Sequence, residues 1–432
     1  MYTTDKANAK SKGAPQVPLK VLISAYACDP GKGSEPGVGW NLTSHVARRQ
    51  QVWLLTRANN RGPIRAALAR EPLPGLHVVY LDLPAWASFW KKGRRGIHLY
   101  YFLWQLAAYQ KARKLHREVG FDLVHHLTFG IDWLPSFLAL LPVPLIWGPL
   151  VGAQSAGKVF RRTFPWSSRI PELGRIWVRN LSRYSPLLRF TARRTTLALA
   201  AGVEAREHLA RLGCREILTY PPVGISSREL ESLASLQPLG DAAKPRFLCL
   251  GNLYAFRGLQ LVLEALARVR RRLPLVELWI IGDGPERGRL KCQAERLGLG
   301  EAVKFWGRLP RAELLSRLPE CSALVHICFR GAVSMACTEA MAARLPVICL
   351  DLGGPGLQVT EETGIKVPAV SPPQVVADLA AAMEQLAQDP ALRARMGNAA
   401  REHVQEHFDW ARKADFINGC YASVAASAAE KD

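Results

Sequence analysis

The stretch ALVHICFRGAVSMACTEAMAARLPVICLDLGGPGLQVTEETGIKV, residues 323 to 367, constrains this chain more than any other. Ala323–Ile327 and Pro346–Leu350 are short apolar runs bounded by turn residues, a pattern that predicts two buried strands. Between them Ser334–Arg344, rich in Ala, Met and Glu, reads as a helix opened by a serine. Strand, loop, helix, strand is a right-handed βαβ unit, and such a unit displays its ligands where strands end and helices begin. Cys328–Val333 is then the ligand-facing loop. Glu339 is a lone carboxylate on a helix of small and apolar side chains. A buried carboxylate without a partner costs several kcal/mol. Glu339 therefore meets a donor from protein or ligand, or it lies on the helix surface and is satisfied by water.

The same grammar recurs along the chain. Leu19–Tyr26 reads as a buried strand, and ACDPGKGSEPGVGW after it as a glycine-rich loop leading into a helix over about 38–49. Gly31, Gly33, Gly37 and Gly39 would let backbone amides approach a ligand, and a helix N-terminus favours anions. The spacing matches neither GxGxxG nor GxxxxGK[ST]. Gln51–Thr56 and Leu76–Leu81 read as strands around a helix at Gly62–Arg70, Phe121–Phe129 as a strand carrying His125 and His126, and Pro144–Trp147 as the next. Ile217–Tyr220 closes this half. A second series follows: strands at Arg246–Leu250, Val276–Ile281 and Val303–Phe305, with glycine-bearing loops GNLYAFRG and GDGPERGRL, then the βαβ unit and a helix at Pro372–Leu386. Two doubly wound α/β domains facing a cleft is the expected architecture.

At 432 residues the chain exceeds one ordinary core. Its charge is lopsided: residues 1–200 hold 29 Lys+Arg and 9 Asp+Glu, net +20, out of +21 for the whole. Such asymmetry points to an anionic surface or substrate: a membrane, a pyrophosphate-linked acceptor or nucleic acid. Two stretches interleave aromatics with base. Residues 85–110 carry Trp86, Phe89, Trp90, Tyr100, Tyr101, Phe102 and Trp104 around Lys91, Lys92, Arg94 and Arg95. Val159–Arg194 carries nine arginines and one acid with Phe160, Phe164, Trp166, Trp177, Tyr184 and Phe190. Both fit a membrane interface, single-stranded nucleic acid, or a helix packing its rings into the core. No helix-turn-helix, zinc or single-strand module pattern supports the nucleic-acid reading. Residues 1–18 lack the apolar region of a signal peptide. The longest charge-free run, Trp133–Gly157, is broken by Pro135, Pro142, Pro144, Pro149, Gly148 and Gly152, which argues against a membrane span. Nine cysteines without a CxxC pair or Cys/His ligand spacing predict reduced, buried thiols and no metal site.

The order of motifs over roughly residues 19–424 resembles the retaining glycosyltransferases of family 4, with the GT-B fold, of the kind that builds bacterial polysaccharides and lipid-linked glycans. GNLYAFRG is similar to that family's G-R-L-x-x-x-K-G loop, IIGDGPERGRL to its G-x-G-P turn, and TEAMAARLPVICLDLGGP to its E-A-M-A-x-G-x-P-V-I segment. SAYACDPGKGSEPGVGW resembles the first-domain glycine loop, and HHLTFG the strand-end histidine. The resemblance implies an N-terminal acceptor-side domain (19–222), a linker (223–243), a C-terminal nucleotide-sugar-binding domain (244–405) and a C-terminal helix (406–424) packing back toward the first domain. Residues 1–18 and 425–432 would be tails.

Carried over by position, the resemblance implies a UDP- or GDP-sugar donor and no other cofactor. Glu339 would accept hydrogen bonds from the ribose, and Arg257 would grip the diphosphate, its fork keeping a lysine's charge. Asn252, Gly282 and Gly284 would line the same loops. Gly37 and Gly39 would bring amides to phosphate or sugar, and His126, or His125, would sit near the transferred sugar. Catalysis would rest on His126 and Glu339, without metal. Three positions depart from the family pattern. Gly331 stands where E-x7-E has its first glutamate, Asn252 where an arginine is usual, and Arg344 where the G-x-P turn has glycine. Arg330 could replace charge, and backbone amides of Gly331, Ala332 and Val333 could hold the donor. The expected activity is retaining hexosyl transfer to a lipid-linked or polysaccharide acceptor, by a cytoplasmic protein peripheral to the inner membrane face. The alternatives are a non-catalytic sugar-nucleotide or glycan-binding subunit and a nucleic-acid-binding module.

Overall fold

A computed structural model describes residues 17–91, 96–152, 155–234, 244–331 and 333–430. Most of the expected N-terminal tail, Lys92, Arg94 and Arg95 of the basic cluster, the linker from 235 to 243, Ala332 and the last two residues lie outside the described residues. The chain divides into two compact units, one formed by 1–153, 177–222 and 410–432, the other by 154–176 and 223–409.

Each unit is built on a parallel sheet. The first sheet contains β1 (Lys20–Ser24), β2 (Gln51–Thr56), β3 (Leu76–Tyr80), β4 (Leu123–His126), β5 (Leu145–Leu150), β6 (Thr195–Ala200) and β7 (Ile217–Thr219), in spatial order 3-2-1-4-5-6-7. The second contains β8 (Arg246–Leu250), β9 (Glu277–Ile281), β10 (Val303–Gly307), β11 (Ala323–His326), β12 (Val347–Leu350) and β13 (Gly364–Val367), in order 10-9-8-11-12-13. Every strand pair in both sheets is parallel. A sheet covered on both faces needs strands that are apolar on both faces. In β1, Leu22 enters one core with Trp104 and Trp147, while Val21 and Ile23 enter the opposite core. The strand order reverses direction between β1 and β4 and again between β8 and β11. At those switch points the loops beyond the strands' carboxyl ends open a crevice.

The expected strands match closely, but β6 and β13 and the helix Pro390–His407 were not read from the sequence. That helix has a clear local cause: Pro390 sits at its first position, and the Asp389 side chain accepts from the Leu392 amide at 2.8 Å. The helix Ser227–Ala234 occupies part of the expected linker. Residues 154–176, placed in the first domain by sequence order, belong to the second unit. Phe160 and Phe164 join its core, with the Phe160 ring stacked on Phe329 at 4.5 Å between centroids. The C-terminal helix Trp410–Ala429 belongs to the first unit and packs on the helix Ser34–Val46, burying Trp410, Ile417 and Tyr421. Eight of the nine cysteines are buried free thiols and Cys292 is exposed. Among the described residues no helix is long and apolar enough to cross a membrane.

Candidate functional site

In the second unit the site begins where β8 and β11 end. Gly251 leaves β8 at φ +120° and lies against the loop after β9. A Cβ on Gly282 would come within 1.9 Å of the Gly251 carbonyl oxygen, and one on Gly284 within 2.5 Å of the Leu253 carbonyl. The Leu253 amide donates to the Asp283 carbonyl at 3.0 Å. Gly282 and Gly284 therefore serve loop-on-loop packing, which fixes the two loops that would flank a ligand. Arg257 closes a short turn, Ala255–Arg257, and its Nη1 lies 3.0 Å from Nε2 of His326, the last residue of β11. Burial, with the Arg257 charge beside it, pushes the His326 pKa down to about 3, so the ring is neutral and accepts from the guanidinium. Asn252, Arg257 and His326 line a cavity of about 10 Å³, room for a single water. A ligand of nucleotide size would therefore lie outside it, on the loops.

Glu339 is buried on the helix Met335–Ala342. It meets a protein donor: Arg311 Nη1 pairs with its Oε1, while Arg311 Nη2 pairs with Glu229 at 2.9 Å. Burial raises the Glu339 pKa and Arg311 opposes that rise. The solvated-surface alternative is thus excluded. Arg311 stands 28 residues upstream on the helix Arg311–Arg317, and no local signal marked it. The helix start is locked by Gln358, whose Oε1 accepts from the Ser334 amide at 3.0 Å and whose Nε2 donates to Thr338 Oγ1 at 2.6 Å.

Arg330, the expected source of replacement charge beside Gly331, has partners within the protein. Its guanidinium pairs with Glu172 and lies over the Phe256 ring at 4.2 Å. Glu172 is the single acid of the arginine-rich stretch, is buried, and also pairs with Arg175 at 2.8 Å. Gly331 faces the Cys328 sulfur, which a Cβ would approach to 3.3 Å, and its carbonyl accepts from the Gly354 amide at 3.2 Å. Val333 is buried beside it, and Ala332 is outside the described residues.

In the first unit the two histidines of β4 take different partners. His125 Nε2 lies 2.7 Å from the Gly148 carbonyl, which can only accept, so this nitrogen carries the proton and Nδ1 accepts from Tyr421 OH at 2.7 Å. His126 Nε2 meets Tyr101 OH at 2.8 Å, and Gln105 donates to that hydroxyl at 2.5 Å. Desolvation lowers the two pKa values to about 4 and about 3. Both rings are buried and neutral, so His126 is held behind Tyr101 rather than presented at the surface. Gly37 and Gly39 lie inside the helix Ser34–Val46. A Cβ on either would come within 2.4 Å of a carbonyl of residues 27–32, so they let the helix pack on its own leading loop. The sequence reading missed Glu35, whose carboxylate accepts from the Phe129 amide at 2.5 Å. Ser34 and Phe129, both non-glycines, adopt φ of 55° and 59°. This clamp joins the β1 and β4 loops at the switch point, where backbone strain often accompanies function.

Comparison with known proteins supports the two-sheet fold. Structures that superpose include sucrose-phosphate synthase from Thermosynechococcus elongatus, with TM-score 0.64, 19% identity, and coverage of 95% of this chain and 100% of that one. HepE of Anabaena, solved with UDP and glucose, has TM-score 0.58, 18% identity, and coverage of 94% and 100%. The fold is GT-B. Residues 237–403 match the family model described as glycosyl transferases group 1. Glycogen synthase of Mycobacterium tuberculosis is 33% identical over 175 residues, which is 39% of this chain and 41% of that protein. The chain thus spans about two fifths of the length of the first curated relatives it matches. The GDP-mannose-dependent alpha-(1-6)-phosphatidylinositol monomannoside mannosyltransferase of Mycolicibacterium smegmatis is 28% identical over 327 residues, 71% of this chain and 80% of that protein.

Proposed function

We propose that the chain is a retaining, metal-independent glycosyltransferase of family 4, moving a hexose from a UDP- or GDP-sugar to a lipid-linked or polysaccharide acceptor. The observation that carries this reading is the position of Arg257 and Asn252 at the switch point of the second sheet, within residues matched by the glycosyl transferases group 1 model. Arg257 is aimed by His326 and would stabilise the leaving diphosphate, so the protein's share of catalysis is positioning and electrostatics. Glu339 would accept from the ribose hydroxyls, with Arg311 opposing the rise in its pKa that burial causes. Gly282 and Gly284 hold the loops that frame the donor. The loop of Gly331 and Val333 would face the sugar, and Gly37 and Gly39 let the glycine-rich loop of the first unit close on its helix. His126 supports Tyr101 and the β4 loop. UDP in the HepE structure and GDP-mannose in the mannosyltransferase name support a nucleotide-sugar donor.

The net +20 of residues 1–200 supports a cytoplasmic protein peripheral to the inner membrane face, and fits an anionic lipid-linked acceptor. Incubation with a panel of radiolabelled UDP- and GDP-sugars, with and without lipid extract, tests the activity: one donor is consumed, and NMR of the product shows the donor's anomeric configuration. A second reading, a sugar-nucleotide-binding subunit without catalysis, is favoured by Gly331 and Asn252, and by the engagement of Arg330 and Glu339 within the protein. Binding without consumption of any donor would select it.

A further inference from the structure

The helix Trp166–Ser182 carries an apolar stripe that none of the described residues covers. Trp166, Ile170, Leu173, Trp177 and Leu181 recur at intervals of three or four residues, which places them on one helical face. Each is between 54% and 74% exposed. Large side chains left in water as a continuous stripe mark an interaction surface. The opposite side of the same helix holds Glu172, buried and paired with Arg175 and Arg330. The one acid of the segment is therefore turned inward and neutralised, and the face presented outward is apolar and basic.

Charge chooses the occupant. Arg162, just before the helix, and Arg183 and Arg189, after it, are exposed. The Arg169 guanidinium lies 4.9 Å over the Trp166 ring, and that of Arg183 4.8 Å over the Tyr184 ring. Rings bracketed by cations suit the headgroup level of a bilayer, where indoles settle and guanidiniums meet lipid phosphate. A protein partner would require an acidic rim matched to each arginine, whereas a sheet of anionic lipid satisfies them all at once.

We infer that the helix Trp166–Ser182 is a membrane-docking element that lies in the plane of an anionic bilayer with its apolar stripe turned toward the acyl chains. This deepens the membrane location proposed above and rests on it. The binding is then of two kinds: arginine attraction, which salt screens, and insertion of the stripe by roughly 5–10 Å, which salt does not.

Co-sedimentation with phosphatidylglycerol–phosphatidylcholine vesicles tests this. Wild-type protein should pellet with them, and a fraction should remain bound at about 0.5 M salt, where the Debye length falls to roughly 4 Å. The triple variant Trp166→Ser, Ile170→Ser, Trp177→Ser should bind at least about tenfold more weakly and lose the salt-resistant fraction. Arg162→Gln, Arg183→Gln, Arg189→Gln should weaken low-salt binding and spare the salt-resistant fraction. On wild-type protein, lipids brominated along the acyl chain should quench tryptophan fluorescence, a readout independent of how any variant folds. Unchanged vesicle binding of the triple serine variant, absence of quenching, or conversion of a wild-type dimer to a monomer by the variant would each overturn the inference. UDP and GDP affinities, measured without lipid, should be the same in the variants, so failure of membrane docking and failure of the donor-site reading show themselves separately.

Discussion

Glu339 shows how a single side chain can be recognised in the sequence while its partner is not. Its isolation among small apolar residues demanded a donor, and Arg311 supplies one from another helix. If Glu339 receives the ribose, Glu339→Gln should weaken UDP or GDP binding by about 1–3 kcal/mol, measured by calorimetric titration. Unchanged affinity in a folded variant would reduce the pair to a structural contact. The pH dependence follows from the same geometry. Burial raises the Glu339 pKa and Arg311 pulls it back, so Arg311→Ala lets the carboxyl take up its proton at a higher pH. Nucleotide affinity in Arg311→Ala should therefore fall away at a higher pH than in wild type as the solution is acidified, and titrations across the acid range would show it. Arg257 makes a harsher test. Because it is the cation aimed by His326, Arg257→Ala should cut donor turnover by about a hundredfold or more, the usual scale for a lost transition-state donor. Turnover near wild type would place the diphosphate elsewhere.

At the scale of elements, most strands were legible because each is a short apolar run between turn residues. β6 was not, since TTLALA follows directly on an arginine-rich segment that reads as surface. The helix Pro390–His407 was also missed, although its proline and aspartate cap are local. The glycine-rich loops lie where the spacing puts them, and the structure adds a packing reason for their glycines. Gly37, Gly39, Gly282 and Gly284 are glycines because backbone passes where a Cβ would stand, and spacing alone does not separate that from ligand contact. The two aromatic stretches divided as no periodicity could show. Tyr100, Tyr101 and Trp104 are core, and Trp86, Phe89, Trp166 and Trp177 are exposed. Arg344 presents an element-scale test. It ends the helix Met335–Ala342 at φ +61°, where the family pattern has glycine. A side chain in the left-handed region costs roughly 1 kcal/mol, so Arg344→Gly should stabilise the second unit by up to about that amount in urea unfolding. A loss of stability would show that Arg344 makes contacts worth more than the strain.

Over the whole chain, the division of labour is set by two excursions that sequence order conceals. Residues 154–176 leave the first unit's run and complete the second unit's core, and residues 410–430 return to the first. The return is anchored by groups far apart in sequence: Tyr421 on His125, Asn418 accepting from Gln50 at 3.0 Å, and Lys413 Nζ donating to the Pro221 carbonyl at 2.7 Å. None of these partners carries a local signal, so the residues of the C-terminal helix predict a helix but not the contacts that hold it. Lys413 gives the return a pH signature. Burial brings its pKa down from 10.5 to about 7. Between those values the unfolded chain holds a proton on this lysine that the folded state has released. Stability of the first unit should accordingly rise as pH climbs from about 7 toward 10.5, by roughly 2 kcal/mol between pH 7 and 9. Lys413→Met keeps the apolar stem and removes the titration, so its stability should be flat over that window. Urea unfolding of both proteins at pH 7 and pH 9, followed by tryptophan fluorescence, decides the matter. Equal slopes would mean that the lysine stays charged beside Tyr220, whose ring its Nζ faces at 4.0 Å, and that the cation–π contact outweighs the cost of burial.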